Sequence, residues 1–220
     1  MATYITSLRP PQQPRLPGAP LDYDPNYANQ LNNILRLYFN QLDNSFAALL
    51  DSGGGAYLRN PYGAFSDYTD QTTTANTATL MALGTTDFSN QVSIASSKIT
   101  VQNAGIYNLQ FSAQFQNTDN AIQDISIWLR QNGTDIPGST GFVSIPARKS
   151  ASAGEEAHEI IGWNYYVSMA ANDYIEIYWS TTLASVTIQT YPASTGPVRP
   201  STASVVATMS FVSALPIAAV

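Results

Sequence analysis

One histidine, His158, is the only imidazole available for proton transfer in this chain. A Ser-His-Asp relay would have to use it, and such a relay needs a buried, oriented ring. His158 instead sits in Gly154-Glu155-Glu156-Ala157-His158-Glu159, which reads as an acidic loop entering a strand. Neighbouring carboxylates favour the charged imidazole, so a pH-sensitive loop is the alternative to a plain solvated one. Glu155, Glu156, Glu159, Asp119, Asp124 and Asp173 are oxygen donors of the kind calcium takes, but no loop alternates Asp and Asn as a local calcium loop does. A carboxylate pair for sugar hydrolysis has no cleft pattern around it. Trp128, Trp163 and Trp179 would stack on sugars if exposed, yet each lies in a strand-like run with apolar neighbours, so core or subunit-interface positions are expected. Gly53-Gly54-Gly55 is followed by no Lys or Ser/Thr in phosphate-loop spacing, and Asn132-Gly133-Thr134 reads as a hairpin turn before it reads as a glycosylation sequon. The expectation is no enzyme, no catalytic residue, no metal ligand and no cofactor.

Composition narrows the class further. Charged residues make up 11% of the 220, against about 25% in an ordinary soluble domain. Ser, Thr, Asn and Gln carry the surface polarity instead, which suits β surfaces that pack against copies of themselves. The net charge of −6 and only nine scattered Lys and Arg exclude the phosphate backbone of nucleic acid as a partner. No run approaches the roughly 18 apolar residues of a membrane span. The start, Met-Ala-Thr-Tyr-Ile, lacks the basic and apolar regions of a signal peptide, so secretion is not expected. With no cysteine, disulfide scaffolds and thiolate chemistry are excluded.

The elements that position everything else begin with residues 1–23. Pro10, Pro11, Pro14, Pro17 and Pro20 fall within eleven residues, each fixing its own φ and extending the residue before it. This predicts an extended, polyproline-like arm. Its candidate anchoring residues are Leu8, Arg9, Pro10, Pro11, Pro14, Arg15, Leu16 and Pro17, with preset φ angles lowering the entropy lost on docking. Asp24-Pro25 then starts a helix, Asp as N-cap and Pro at the first helical position. Leu31, Leu35, Tyr38, Leu42, Phe46 and Leu49 recur at spacings of four and three through residues 24–52, and the glycine run ends the element. The stripe serves either the chain's own β-domain or copies of the helix in a short coiled coil. Self-association is the reading preferred.

Residues 53–76 are expected to be a Gly/Tyr/Thr-rich linker, 77–216 a β-head and 217–220 a tail. The clearest strand is 107–116, where every odd position is apolar and every even one polar. Others are expected near 79–83, 91–94, 98–101, 125–130, 159–168, 174–181, 186–191 and 205–212. Short strands at this spacing indicate a sandwich or jelly roll.

The run Lys98 to Phe111, with Gly105-Ile106-Tyr107 opening its second strand, resembles a signature of the tumour-necrosis-factor and complement globular-head superfamily. Residues 169–179 resemble its later gap, Asp, strand element, and residues 204–215 its closing strand. Phage structural proteins with Gly-x-Tyr strands and Trp-Ser-Thr-Thr segments are similar too, and residues 177–182 together with the arm carry that second likeness. The resemblance implies a jelly roll that trimerises about a three-fold axis, with Gly105 and Tyr107 as fold markers. On residues alone, Gly105 supplies a positive φ and Tyr107 a core side chain. The combined expectation is an all-β jelly-roll head behind a Pro-rich arm and one amphipathic helix, in a homotrimeric virion protein. It would be a short fibre or appendage anchored through its arm to capsid, neck or tail proteins, with a host-surface glycan as a further partner of the head. A capsid decoration protein is the alternative within that class. A secreted lectin-like or cytokine-like binding module is the alternative outside it.

Overall fold

The computed structural model describes residues 11–50, 60–150 and 155–215. Of the expected arm residues, Leu8, Arg9 and Pro10 lie outside these, as do the glycine run and the tail. The chain divides into two compact units, residues 1–59 and 60–220.

The first unit is one helix, α1 (Pro25–Leu50), with the arm beside it. Asp24 caps it as expected: its carboxylate accepts from the Asn26 N–H at 2.8 Å, and its carbonyl accepts from the Ala28 N–H at 3.1 Å. The arm doubles back along the helix. Pro11, Pro14 and the residues between them line a groove with Ile34, Tyr38 and Ser45, while Ala19 to Tyr23 lie beside Tyr27 and Leu31. Pro11, Pro14 and Pro17 are half-buried and the residues between them exposed. That three-residue period is the polyproline one. No residue of α1 is buried, and Phe39 and Phe46 are 56% and 57% exposed. Of the apolar stripe read from the sequence, Leu31, Leu35, Tyr38 and Leu42 are half-buried and Phe46 and Leu49 are exposed.

The second unit contains sixteen strands among the described residues. In chain order the first eight are β1 (Tyr62–Asp67), β2 (Thr79–Leu80), β3 (Thr85–Asn90), β4 (Val92–Ala95), β5 (Lys98–Val101), β6 (Gly105–Asn117), β7 (Gln123–Gln131) and β8 (Thr134–Asp135). Then follow β9 (Gly141–Ile145), β10 (Ala157–Ile161), β11 (Asn164–Met169), β12 (Tyr174–Thr181), β13 (Val186–Ile188), β14 (Ser194–Thr195), β15 (Val198–Arg199) and β16 (Val205–Ser213). They form two antiparallel sheets packed face to face, a jelly-roll sandwich, plus the β14–β15 hairpin. Sheet A is organised on β6, which takes β10 and then β11 along one edge and β13 and then β16 along the other. Beyond β16 come β1 and β3. Sheet B runs β4-β5-β12-β7, closed by β8 and β9 on the far side of β7 and by β2 on β12.

The period-two reading of residues 107–116 holds. Tyr107, Leu109, Phe111, Ala113 and Phe115 all point into the core, against Ile127, Leu129, Ile177 and Trp179 from sheet B. Asn132 and Gly133 turn β7 into β8 with φ of 50° and 80°, the left-handed pair that a two-residue hairpin requires.

Three expectations need correction. The segment read as linker contains β1, whose residues 63–67 are buried between β16 and β3, so the head starts at Asn60. Residues 159–168, read as one strand, are two, broken at Gly162 and Trp163. Gly105 does not have a left-handed φ. Its side-chain hydrogen is needed for space, since a Cβ there would lie 2.4 Å from the Phe211 ring.

Candidate functional site

Among the described residues His158 makes its side-chain contact with Tyr191. It stands on β10 beside Tyr191, ring edge to ring face at 5.5 Å, with Nδ1 3.0 Å from the Tyr191 hydroxyl. That hydroxyl donates to Gln116 Oε1 at 2.9 Å, so Nδ1 is the donor toward the tyrosine oxygen. Burial raises the Tyr191 pKa, and the charges of Glu156 and Asp70 add to the effect.

The carboxylates weighed for calcium are dispersed. Among the described residues no three His, Asp or Glu side chains converge as metal ligands. Asp119 accepts from Gln123 and from the Asn120 N–H, and Asp124 accepts from Ser144. Asp173 ties a turn, accepting from Asn132 at 2.7 Å, the Ala170 N–H at 2.8 Å and Gln131 at 3.0 Å. Desolvation works to raise its pKa, but those three donors outweigh it and the net shift is downward. Asp173→Ala should lower stability by about 1 kcal/mol, read as a chemical-denaturation midpoint shift at neutral pH. The loss should vanish in acid, because a depressed carboxylate stabilises above its ordinary pKa of 3.8 and ceases to as pH falls through the lower folded value.

The three tryptophans part company. Trp179 is fully buried, with Phe115 edge-on at 5.6 Å. Trp163 is half-buried over Phe111 at 4.7 Å and roofs Gly141. Trp128 takes the second of the two expected places, off the core: its strand buries Ile125, Ile127 and Leu129, so parity sets the indole on the outer side of sheet B.

Around Trp128 lies the densest side-chain cluster of the head. Tyr178 is its direct cross-strand partner, ring stacked at 5.9 Å and 30°. Asp135 accepts from both Trp128 Nε1 and Arg130 Nε at 2.8 Å. The Arg130 guanidinium lies 4.0 Å from the Tyr178 ring centroid, and Lys98 Nζ sits 4.3 Å over Tyr174. Between the two tyrosines, on the same face of β12 and opposite Arg130, is Glu176. It is 5% exposed; the Arg130 guanidinium opposite it pairs with Asp135, and Lys98 lies over the Tyr174 ring. The sequence signals were the alternation Tyr174, Glu176, Tyr178 and the outward parity of Trp128. The hydrogen bond from Arg130, then that from Trp128, hold the Asp135 carboxyl below the usual carboxylate range. Asp135→Asn should therefore destabilise the head at pH 7 and be indistinguishable from the parent once the pH falls below the folded value, as melting curves across that range will show.

The outward face of sheet A differs in kind. Cross-strand rows Tyr166–Asn108–Ser210, Asn164–Gln110–Thr208 and Ser112–Val206 carry amides, hydroxyls and aliphatics, with no charged side chain among them. A shallow depression of about 280 Å³ lies over Gln110, Ser112, Val206 and Thr208.

No family model matches this sequence, and no curated protein matches it. Among solved structures, the globular domain of a zebrafish complement 1qA protein is similar at 9% identity, over 71% of this chain and 99% of that one, with a TM-score of 0.41.

Proposed function

We propose that the chain is a homotrimeric virion structural protein, a short fibre or appendage whose arm anchors it to the particle and whose β-head is displayed. The observation that carries the self-association is the charge-free patch on the outward side of sheet A formed by β11, β6 and β16. A solvent-facing sheet of a monomer ordinarily carries charges that keep it soluble and block stacking. Rows of Asn, Gln, Ser and Thr around Val206 and Tyr166 form a surface that hydrogen-bonds a second neutral surface without desolvating ions. The incompletely covered apolar stripe of α1 supports the same reading, since a lone amphipathic helix is marginal in water until its face is packed. The arm supports anchoring: Pro11, Pro14 and Pro17 have preset φ angles and a three-residue burial period, so docking on a particle protein costs less ordering.

A capsid decoration protein satisfies the same surfaces, and a trimeric lectin-like or cytokine-like module fits the sandwich equally. Two measurements decide. The purified chain should have three times the 23.7 kDa protomer mass in solution. Placing Lys at Gln110, the middle of the neutral face, should drop it to the protomer mass with an unchanged circular dichroism spectrum; a monomeric parent removes the proposal. Electron cryomicroscopy of intact particles should then show three-fold density at the neck or tail. Density on the capsid lattice favours decoration, and none at all favours the secreted module.

A further inference from the structure

Asn132-Gly133 is the only Asn-Gly pair in the sequence, and it sits at the tip of the β7–β8 hairpin with both residues exposed. The pair carries a chemistry that the hairpin itself does not use. Glycine has no Cβ to shield its backbone nitrogen, so that nitrogen can reach the side-chain carbonyl carbon of the residue before it. Hydrogen bonds stand in the way. Asn132 Nδ2 donates to Asp173 Oδ1 at 2.7 Å, and Asn132 Oδ1 accepts from the Tyr174 N–H at 3.0 Å. The backbone N–H of Asn132 donates to the Tyr174 carbonyl at 3.1 Å, and the residue is held at a φ of 50°. Gln131 beside it donates to Asp173 Oδ2 and to the Ser168 carbonyl, both at 3.0 Å. The hairpin tip and the turn 170–173 between β11 and β12 are thus clasped together through the one amide that is chemically labile.

We propose that Asn132 is a deamidation site that the fold keeps latent, and that its conversion unties this corner of the head. The reaction needs only water. The Gly133 nitrogen gives up its proton and bonds to Asn132 Cγ. The Cγ–Nδ2 bond breaks, and Nδ2 leaves as ammonia with that proton. Water then opens the cyclic imide at either carbonyl, leaving aspartate or isoaspartate at 132. Cγ cannot swing over the next peptide while the amide keeps its partners, so both hydrogen bonds break first and the chemistry follows local opening. The product does not close again. Aspartate sets an oxygen where Nδ2 was, opposite Asp173 Oδ1, so a donor is replaced by a second negative charge. Isoaspartate adds a main-chain atom to a loop of two residues whose ladder pairs Gln131 with Thr134. β8 also carries Asp135, so a loosened hairpin withdraws the acceptor shared by Trp128 and Arg130. All of this lies within the head of one chain, so it holds for a monomer and a trimer alike.

The test incubates the full chain at mildly alkaline pH and follows tryptic peptide 131–148, in which Asn132 is the only asparagine, by mass spectrometry. The chain unfolded in guanidinium should convert fastest. The folded parent should convert at least about tenfold more slowly, because opening loses a hydrogen bond to a charged group. Folded Asp173→Ala, its circular dichroism spectrum checked first, should convert about fivefold faster than the parent. Asp173→Asn keeps an acceptor and should fall between them, which preserves the comparison if the alanine variant does not fold. Asn132→Asp should melt below the parent, and adding Asp173→Asn should recover part of the loss by returning a donor to the clasp. A folded parent that converts as fast as the unfolded chain overturns the latency, as does conversion untouched by both changes at 173. An unfolded chain that leaves Asn132 intact removes the site itself, and an Asn132→Asp variant that melts with the parent removes the untying.

Discussion

Gly162→Ala is expected to cost the head most of its stability. A Cβ at this position would lie 2.0 Å from the Phe111 carbonyl oxygen and 2.9 Å from the Phe111 carbonyl carbon and the Ser112 Cα. All three are backbone atoms of β6, the strand on which sheet A is organised, so no side chain can swing aside. Either β10 and β11 peel from β6 or β6 bends away from sheet B. Both routes give up ladder hydrogen bonds and core contacts, for a loss above about 3 kcal/mol. In a domain of this size that is roughly 6–12 °C in melting temperature. Gly105 supplies the milder comparison, since its added methyl would meet the rim of the Phe211 ring at 2.4 Å and one backbone atom, the Ser213 carbonyl oxygen, at 2.9 Å. Thermal unfolding followed at 215–220 nm should rank the parent first, Gly105→Ala second and Gly162→Ala last. An alanine at 162 that melts with the parent would show that the β10–β11 break is not held by close approach.

Trp179→Ala should be the costliest large-to-small change, at about 3–5 kcal/mol. Trp179 is the largest fully buried side chain, and it fills the space between Phe115 of one sheet and the strand pair β7–β12 of the other. Its Nε1 is sealed without an acceptor. Trp179→Phe therefore loses volume but also removes an unsatisfied donor, and should cost well under half as much. Urea midpoints of the two variants at constant slope will measure the difference. Equal losses would mean that the indole nitrogen is satisfied after all.

Why part of this molecule was readable in its sequence and part was not comes down to locality. Residues 107–116 alternate because β6 has one core face and one outward face, and that pattern is complete within ten letters. Asp24-Pro25 is equally local. Residues 62–67 escaped because β1 is covered on both sides, so Ala64, Phe65, Ser66 and Asp67 are all buried and no alternation survives. Asp67 lies inside because Ser204 and Thr69 donate to it, and those partners come from far along the chain and from a turn. The Trp128 cluster was half readable. Parity places Trp128, Arg130, Tyr174, Glu176 and Tyr178 outward, but only the register between β7 and β12 puts Glu176 opposite Arg130, and register between distant strands is set by the whole sandwich. The doubling back of the arm was hidden for another reason: prolines declare their own conformation and say nothing about what they lie against.

The position of β16 has a consequence for how the protein is made. This strand lies between β6 and β1, joining Val205 to both Ala113 and Asp67, so sheet A is two separate pieces until residues 205–213 exist. During synthesis, everything up to that point leaves the ribosome with two bare strand edges and a core that lacks Val205, Ala207 and Met209. The head therefore closes only once residues 205–213 are available, in one step of large sequence separation. Nascent chains gathered on one message would offer each other the very edges that β16 later covers. Assembly of copies and completion of each copy thus compete in time, and premature stops upstream of residue 205 should yield aggregate, with no soluble fragment to recover.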